Sequence, residues 1–154
     1  MPLIAQFLAI DRIHLDLAAS TRRQVFEDLA RLCTEPTGIA AARIVDSLEA
    51  RERLGSTGLG QGIAFPHARL KGLQHPCAAF ARLRPSIPCA APDGKPVSEM
   101  LMLLVPERAT EFHLALLADA AQLFGDRRFR DHIRAQTDAS AVLQAFTDWN
   151  GGGA

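Results

Sequence analysis

The stretch Gly55-Ser-Thr-Gly-Leu-Gly-Gln-Gly-Ile-Ala-Phe-Pro-His67 separates a helical first third of the chain from a strand-rich middle. Four glycines in its first eight residues make it too permissive for a helix or a central strand, so it must be a shaped loop. Ile63-Ala-Phe65 is a short apolar run with the texture of a strand. Pro66 ends that run and fixes the backbone immediately before His67.

Upstream of this loop, Ile13-His-Leu-Asp-Leu17 alternates apolar and polar residues, the period of a half-buried strand. Thr21-Arg-Arg-Gln24 has the form of a capping box, and Val25, Phe26, Leu29 and Leu32 follow at helical spacing, which predicts a helix over about 21–33. Pro36-Thr-Gly38 breaks the chain, and a second amphipathic segment carrying Ile44, Val45 and Leu48 ends at the polar tip Arg51-Glu-Arg53. Downstream, strands are expected over 77–83 and 99–105, with the turn Pro92-Asp-Gly94 between them. Leu101-Met-Leu-Leu-Val105 is apolar on both faces and is expected at the sheet centre. Leu114, Leu117, Ala118, Ala121, Leu123 and Phe124 then form a helical stripe stopped by Gly125, with short helices expected over about 126–135 and 139–149. Helices thus bracket a run of short strands, so the expected fold is α/β, a single domain over 1–150 with a mixed β-sheet flanked by helices. Residues 151–154 are expected to be a frayed, flexible tail.

Composition narrows the function. The 154 residues are 48% apolar and 22% charged, inside the globular range. Seventeen basic and seventeen acidic residues cancel, which leaves no global field for a nucleic-acid backbone or an anionic membrane. The run from Leu3 to Ile10 is far shorter than the ~20 residues that span a bilayer and has no basic region before it, so a soluble, cytoplasmic protein is expected. Cys33, Cys77 and Cys89 are odd in number and lack C-x-x-C spacing, which points to buried reduced thiols and away from disulfides or structural zinc.

Among nucleotide motifs, the glycine loop fails where the chemistry resides. Gly55-x-x-x-x-Gly60 begins like a P-loop, but Gln61 and Gly62 stand where Lys and Ser/Thr would meet phosphate and Mg²⁺. A G-x-G-x-x-G fingerprint fails as well, since Ile63 and Phe65 stand where its last glycine should be. The remaining arrangement is Arg51 at a helix end, the hydroxyls of Ser56 and Thr57, a flexible loop, and a histidine held after proline. Backbone N–H groups freed by the loop, or by a helix start after Pro66, and the Arg51 fork suit a phosphate. A neutral His67 imidazole is a competent nucleophile near neutral pH and can itself accept a phosphoryl group. The plainer alternatives are a partly buried His67, a solvated Arg51, turn-forming Ser56 and Thr57, and His113 as a polar rim residue of its helix. His14, His75 and His132 stand in polar or turn contexts and receive no role, and no spacing supports a metal on His67 and His113.

Arg51-Glu-Arg-Leu-Gly-Ser-Thr-Gly-Leu-Gly-Gln-Gly-Ile-Ala-Phe-Pro-His-Ala-Arg69 resembles the active-site signature of EIIA domains of the phosphoenolpyruvate-dependent phosphotransferase system, in the mannitol/fructose/nitrogen-regulatory class. Asp93-Gly-Lys-Pro-Val97, Leu103-Leu-Val-Pro106 and the helix opening at His113-Leu114 are similar to the same family, and the likeness runs from about Ile4 to Trp149. The resemblance implies a mixed sheet flanked by helices, His67 as phosphoacceptor, His113 as the second active-site histidine, Arg51 facing the phosphate and, more weakly, Thr57 beside it. Backbone N–H groups over 58–62 would offset the added charge. It implies a phosphotransferase with a phosphohistidine intermediate, a small HPr-type donor or its nitrogen-branch relative NPr, and no metal or nucleotide cofactor. Phe65 and Cys89-Ala-Ala-Pro92 depart from the family pattern at the rim.

With no IIB domain or membrane segment in its 154 residues, the chain resembles the free-standing nitrogen-regulatory members. Regulation by phosphorylation state is therefore the expectation, with targets such as potassium-transport proteins or sensor kinases. The alternatives are a free-standing EIIA component that passes phosphate to a sugar-specific IIB domain, and a binding module that is not phosphorylated.

Overall fold

A computed structural model describes residues 2–108 and 110–149; the tail expected over 151–154 lies outside them. Two short 3₁₀ turns, Leu3–Phe7 and Ile10–Arg12, lead into β1 (Ile13–Leu17). A helical pair follows, α1 (Arg22–Thr37) and α2 (Ala41–Arg53). The strands β2 (Gly58–Gly60), β3 (Ile63–Ala64), β4 (His67–Leu70), β5 (Cys77–Ile87) and β6 (Val97–Pro106) occupy the middle. Three helices close the fold: α3 (Glu111–Gly125), α4 (Arg127–Arg134) and α5 (Ala139–Asp148).

The strands form one six-stranded sheet, ordered β1-β5-β6-β3-β2, with β4 also against β6. It is mixed: β1 runs parallel to β5, and β3 and β4 run parallel to β6, whereas β5 and β6 are antiparallel. Leu101 to Val105 lies in β6, buried and paired on both sides, as its unbroken apolarity requires. Alternate β6 residues serve opposite cores. Met100, Met102 and Leu104 join Phe26, Leu29, Ile44 and Leu48 of α1 and α2. Leu101, Leu103 and Val105 join Leu116, Phe124, Phe129 and Phe146 of α3, α4 and α5. Edge-to-face ring contacts at 5.2–6.0 Å lock Phe124, Phe129 and Phe146 together and tie the three C-terminal helices to one another.

Local chemistry sets the ends of these elements. Thr21 caps α1 through the full capping box with Gln24. The helix runs past the expected end at 33, with Pro36 inside its last turn, and stops only at Gly38, whose left-handed φ of 71° lets its N–H reach Thr34 O at 2.9 Å. No helix starts after Pro66. Instead β3 and β4 lie end to end along β6, pairing Ile63 with Glu99 and His67 with Leu103. The proline only interrupts the ladder, and its carbonyl still accepts from Leu103 N–H at 3.0 Å. That continuity places His67 at the first position of a strand whose side partner is β6. No helix among the described residues is long and apolar enough to cross a membrane.

Candidate functional site

His67 lines a cleft of about 500 Å³ whose walls include Arg51, Leu54, Arg69, Val105 and Leu117. The cleft runs between the end of α2, the strand β4 and α3. Successive strand side chains alternate, so Ala68 and Leu70 enter the core beneath α1 and α2 while His67 and Arg69 share the other face.

The His67 ring is oriented by its own backbone. Nδ1 lies 2.9 Å from Phe65 O, and a carbonyl can only accept, so Nδ1 carries the proton and Nε2 keeps its lone pair. The Phe65 ring packs beside the imidazole at 5.3 Å. Burial lowers the His67 pKa below the ordinary histidine value, and the guanidiniums of Arg51 and Arg69 add to this, against the Phe65 carbonyl and Glu52. The ring is thus neutral and nucleophilic at neutral pH, beside two cations that suit an incoming anion.

Arg51, in the last turn of α2, donates from Nη1 to Gly55 O at 2.9 Å, which bends it over the start of the glycine loop. His113 occupies the third position of α3 and closes that helix's capping box, with its Nδ1 accepting from Thr110 N–H at 3.3 Å. By the same reasoning its proton sits on Nε2, which is then a donor. The two histidines carry opposite tautomers. His113 does not line the cleft and, among the described residues, shares no hydrogen bond with His67. It stands one helical turn before Leu117, on the same face, and Leu117 does line the cleft.

Thr57 has a different setting from the expected phosphate contact. It is 6% exposed, and its hydroxyl and N–H both bond the carboxylate of Glu52, the N–H at 3.3 Å. Its carbonyl accepts from Phe65 N–H at 2.9 Å, so the residue fastens the loop beneath His67. The loop N–H groups expected to face phosphate are partly committed as well. Gly58 N–H goes to Ser56 Oγ at 3.0 Å and Gln61 N–H to Asp93 Oδ2 at 2.9 Å. Steric geometry explains the glycines here: Gly60 and Gly62 have φ of 81° and 83°, and a Cβ on Gly62 would meet Ser98 Oγ at 3.0 Å.

Three features of the site escaped the sequence pattern. Glu52 sits in the charged tip Arg51-Glu-Arg53, yet its side chain is 4% exposed and faces Arg22 of α1 at 3.8 Å. Helical spacing from Leu48 was the available signal, since four residues on brings Glu52 to the same buried face. Arg69 could have been placed by strand alternation from His67. The third is a clamp that only the tertiary structure assembles. Glu99 of β6, 1% exposed, takes Arg134 Nε at 2.5 Å and stands 3.6 Å from Arg82 Nε. Arg134 Nη2 also donates to Gln61 O at 2.6 Å, tying α4 to the glycine loop.

This frame of a mixed sheet and a backbone-held histidine has relatives. The family model for the phosphoenolpyruvate-dependent sugar phosphotransferase system, EIIA 2, matches residues 6–149. The chain belongs to this EIIA family. Its sequence is 39% identical, over 97% of both chains, to a nitrogen regulatory protein of Pseudomonas aeruginosa. A nitrogen regulatory protein of Bradyrhizobium diazoefficiens is 35% identical over 93% of this chain and 94% of its own length. Among solved structures, the crystal structure of nitrogen regulatory protein IIA-Ntr from Neisseria meningitidis superposes with a TM-score of 0.88 at 38% identity, covering 93% of this chain and 98% of that one. The EIIA resemblance read from 51–69 and 93–114 therefore holds across the chain, but Phe65 and Cys89, expected at the rim, are buried, one in each core, at 4% and 6% exposed.

Proposed function

We propose that this EIIA protein is a phosphocarrier in which His67 Nε2 takes a phosphoryl group from a phosphohistidine on a small HPr- or NPr-type protein, and that phosphorylation regulates its binding to partner proteins. One observation carries the reading: Nδ1 of His67 is tied to the Phe65 carbonyl, which leaves Nε2 bare in a cleft walled by Arg51 and Arg69. Family membership and the nitrogen regulatory relatives support a phosphotransfer protein of the regulatory branch.

In the transfer the donor's N–P bond breaks, its electron pair returning to the donor imidazole, as the Nε2–P bond forms on His67. The proton stays on Nδ1, which goes on donating to the Phe65 carbonyl. Such transfers depend on positioning and charge stabilisation. Arg51 and Arg69 offset the phosphoryl charge, and His113, which the family resemblance assigns to the phosphorylated ring, keeps its proton on Nε2 because Nδ1 accepts from Thr110 N–H. Thr57, held by Glu52, acts as a positioning residue for the loop. Exposed Leu54 at the cleft and Leu114 on α3 offer the donor protein an apolar landing. The phosphate then acts as an electrostatic switch, adding a charge of about −1.5 to −2 to a surface that presents cations when unmodified. This chemistry belongs in the cytoplasm, where phosphoenolpyruvate is available.

The test is phosphoryl transfer from phosphoenolpyruvate through the first enzyme and its small phosphocarrier, read by intact mass. An acid-labile gain of about 80 Da, absent from His67→Ala, is the expected result. No gain with either the sugar-branch or the nitrogen-branch carrier would overturn the reading.

A further inference from the structure

Cys33 and Cys77 take no part in the phosphoryl chemistry, yet they are built as a pair. Cys33 lies near the end of α1 and Cys77 is the first residue of β5. Separated by 44 residues in sequence, their sulfurs stand 3.3 Å apart, hydrogen-bonded and both free. The surroundings of the two thiols differ. Cys33 is fully buried, whereas Cys77 borders a cleft of about 360 Å³ whose walls include Arg12, Gly38, Leu73 and His75. Arg12 is fixed there by hydrogen bonds to Ala78 O at 3.0 Å and Phe7 O at 2.9 Å.

We propose that Cys33 and Cys77 form an oxidation site for small hydroperoxides, in which Cys77 is oxidised first and Cys33 resolves it to an intramolecular disulfide. The Cys77 thiolate attacks the terminal peroxide oxygen, the O–O bond breaks, and the leaving hydroxide or alkoxide takes up the proton the thiol gave up, departing as water (from hydrogen peroxide) or an alcohol and leaving a sulfenic acid on Cys77. Cys33 sulfur then attacks Cys77 Sγ, the S–O bond breaks, the sulfenic hydroxyl departs as water with the Cys33 thiol proton, and the two thiols have given two electrons to one peroxide. The second step starts from 3.3 Å, within the roughly 3–3.5 Å of a near-attack arrangement. Closing to the roughly 2.05 Å of a disulfide asks the sulfurs to move about 1.3 Å, on elements already packed together.

Order within the pair follows from electrostatics and access. Once one thiol ionises, the other must donate the shared hydrogen bond. Cys77 is the one favoured: its hydrogen bond with Cys33 lowers its pKa and Arg12 adds to this, against burial and Asp11. The same partnership raises Cys33. At Cys89, burial pushes the thiol up to about 11, which makes it an internal control. Cys77 is only 4% exposed, an opening that suits a peroxide rather than a bulky disulfide.

The experiment treats the full-length protein with hydrogen peroxide, alkylates it under denaturing conditions, and reads intact mass and peptide maps. Expected are the loss of two alkylatable thiols, a mass about 2 Da lower before alkylation, from two hydrogens lost, and a Cys33–Cys77 cross-linked peptide that dithiothreitol reverses. Cys89 should stay alkylatable. In Cys33→Ser a dimedone adduct should accumulate on Cys77, and in Cys77→Ser neither adduct nor cross-link should form. Three intact thiols in the wild type, or a cross-link through Cys89, would overturn the proposal, and the wild-type map decides even where a serine variant fails to fold.

Discussion

At the level of single residues the site turns on which nitrogen of His67 holds the proton. Phe65 O answers this for Nδ1, and burial with two nearby guanidiniums keeps Nε2 bare. A pH signature follows. The unfolded ring titrates at about 6.5, and the folded ring below that. Within this window the unfolded chain holds a proton that the folded chain has shed, so stability rises with pH and is lost as pH falls. NMR titration of the His67 ring should therefore give a midpoint below that of an unfolded histidine, and the unphosphorylated ring should remain a neutral acceptor into mildly acidic buffer. A midpoint at or above the unfolded value would contradict the assignment. Other residues show how weak local signals can be: Glu52 reads as surface charge between two arginines and is instead a buried anchor for Thr57.

Among elements, the glycine loop is the informative one. It is held from three directions: by Glu52 through Thr57, by Asp93 through Gln61 N–H, and by Arg134 through Gln61 O. The hydrogen bonds from Gln61 and Lys95 N–H lower the Asp93 pKa, which keeps that tie ionised. Arg134 also neutralises Glu99, a carboxylate 1% exposed. Arg134→Met should cost about 3 kcal/mol, the low end for removing one partner of a buried ion pair, since Arg82 remains beside Glu99. Urea denaturation measures that loss, and amide exchange at Ser98 and Glu99, which bond Gly62 O, should quicken with it. Unchanged stability and exchange would remove the clamp from the account.

For the whole molecule, two cores on opposite faces of one sheet bring the end of α2 and the face of α3 to the edge where β4 lies. The cleft is open there, and apolar groups stay in solvent beside it: Leu54 is 85% and Leu114 57% exposed. Docking a donor protein is the use we assign them. Leu54→Ser and Leu114→Ser should raise KM for the phosphocarrier severalfold, with thermal stability within about 0.5 kcal/mol of wild type, as exposed positions allow. An unchanged KM in both variants would move the docking face elsewhere.

Much of this was legible from residues 13–125 alone. Capping at Thr21, the break before Ile39, the central strand over 101–105 and the α/β layering follow from periodicity and turn chemistry, which act within a few residues. The motif from Arg51 to Arg69 marked the family and His67 as the candidate nucleophile, because loop glycines and the proline before the histidine are local requirements. What lay beyond reach was every contact across the fold. Strand β4 after Pro66 needs β6 beside it, the Glu99–Arg134 tie joins a strand to a helix, and the Cys33–Cys77 pair spans 44 residues. Such pairings depend on how the sheet is layered, and hydrophobic pattern records only which face a residue presents, not which distant partner meets it there.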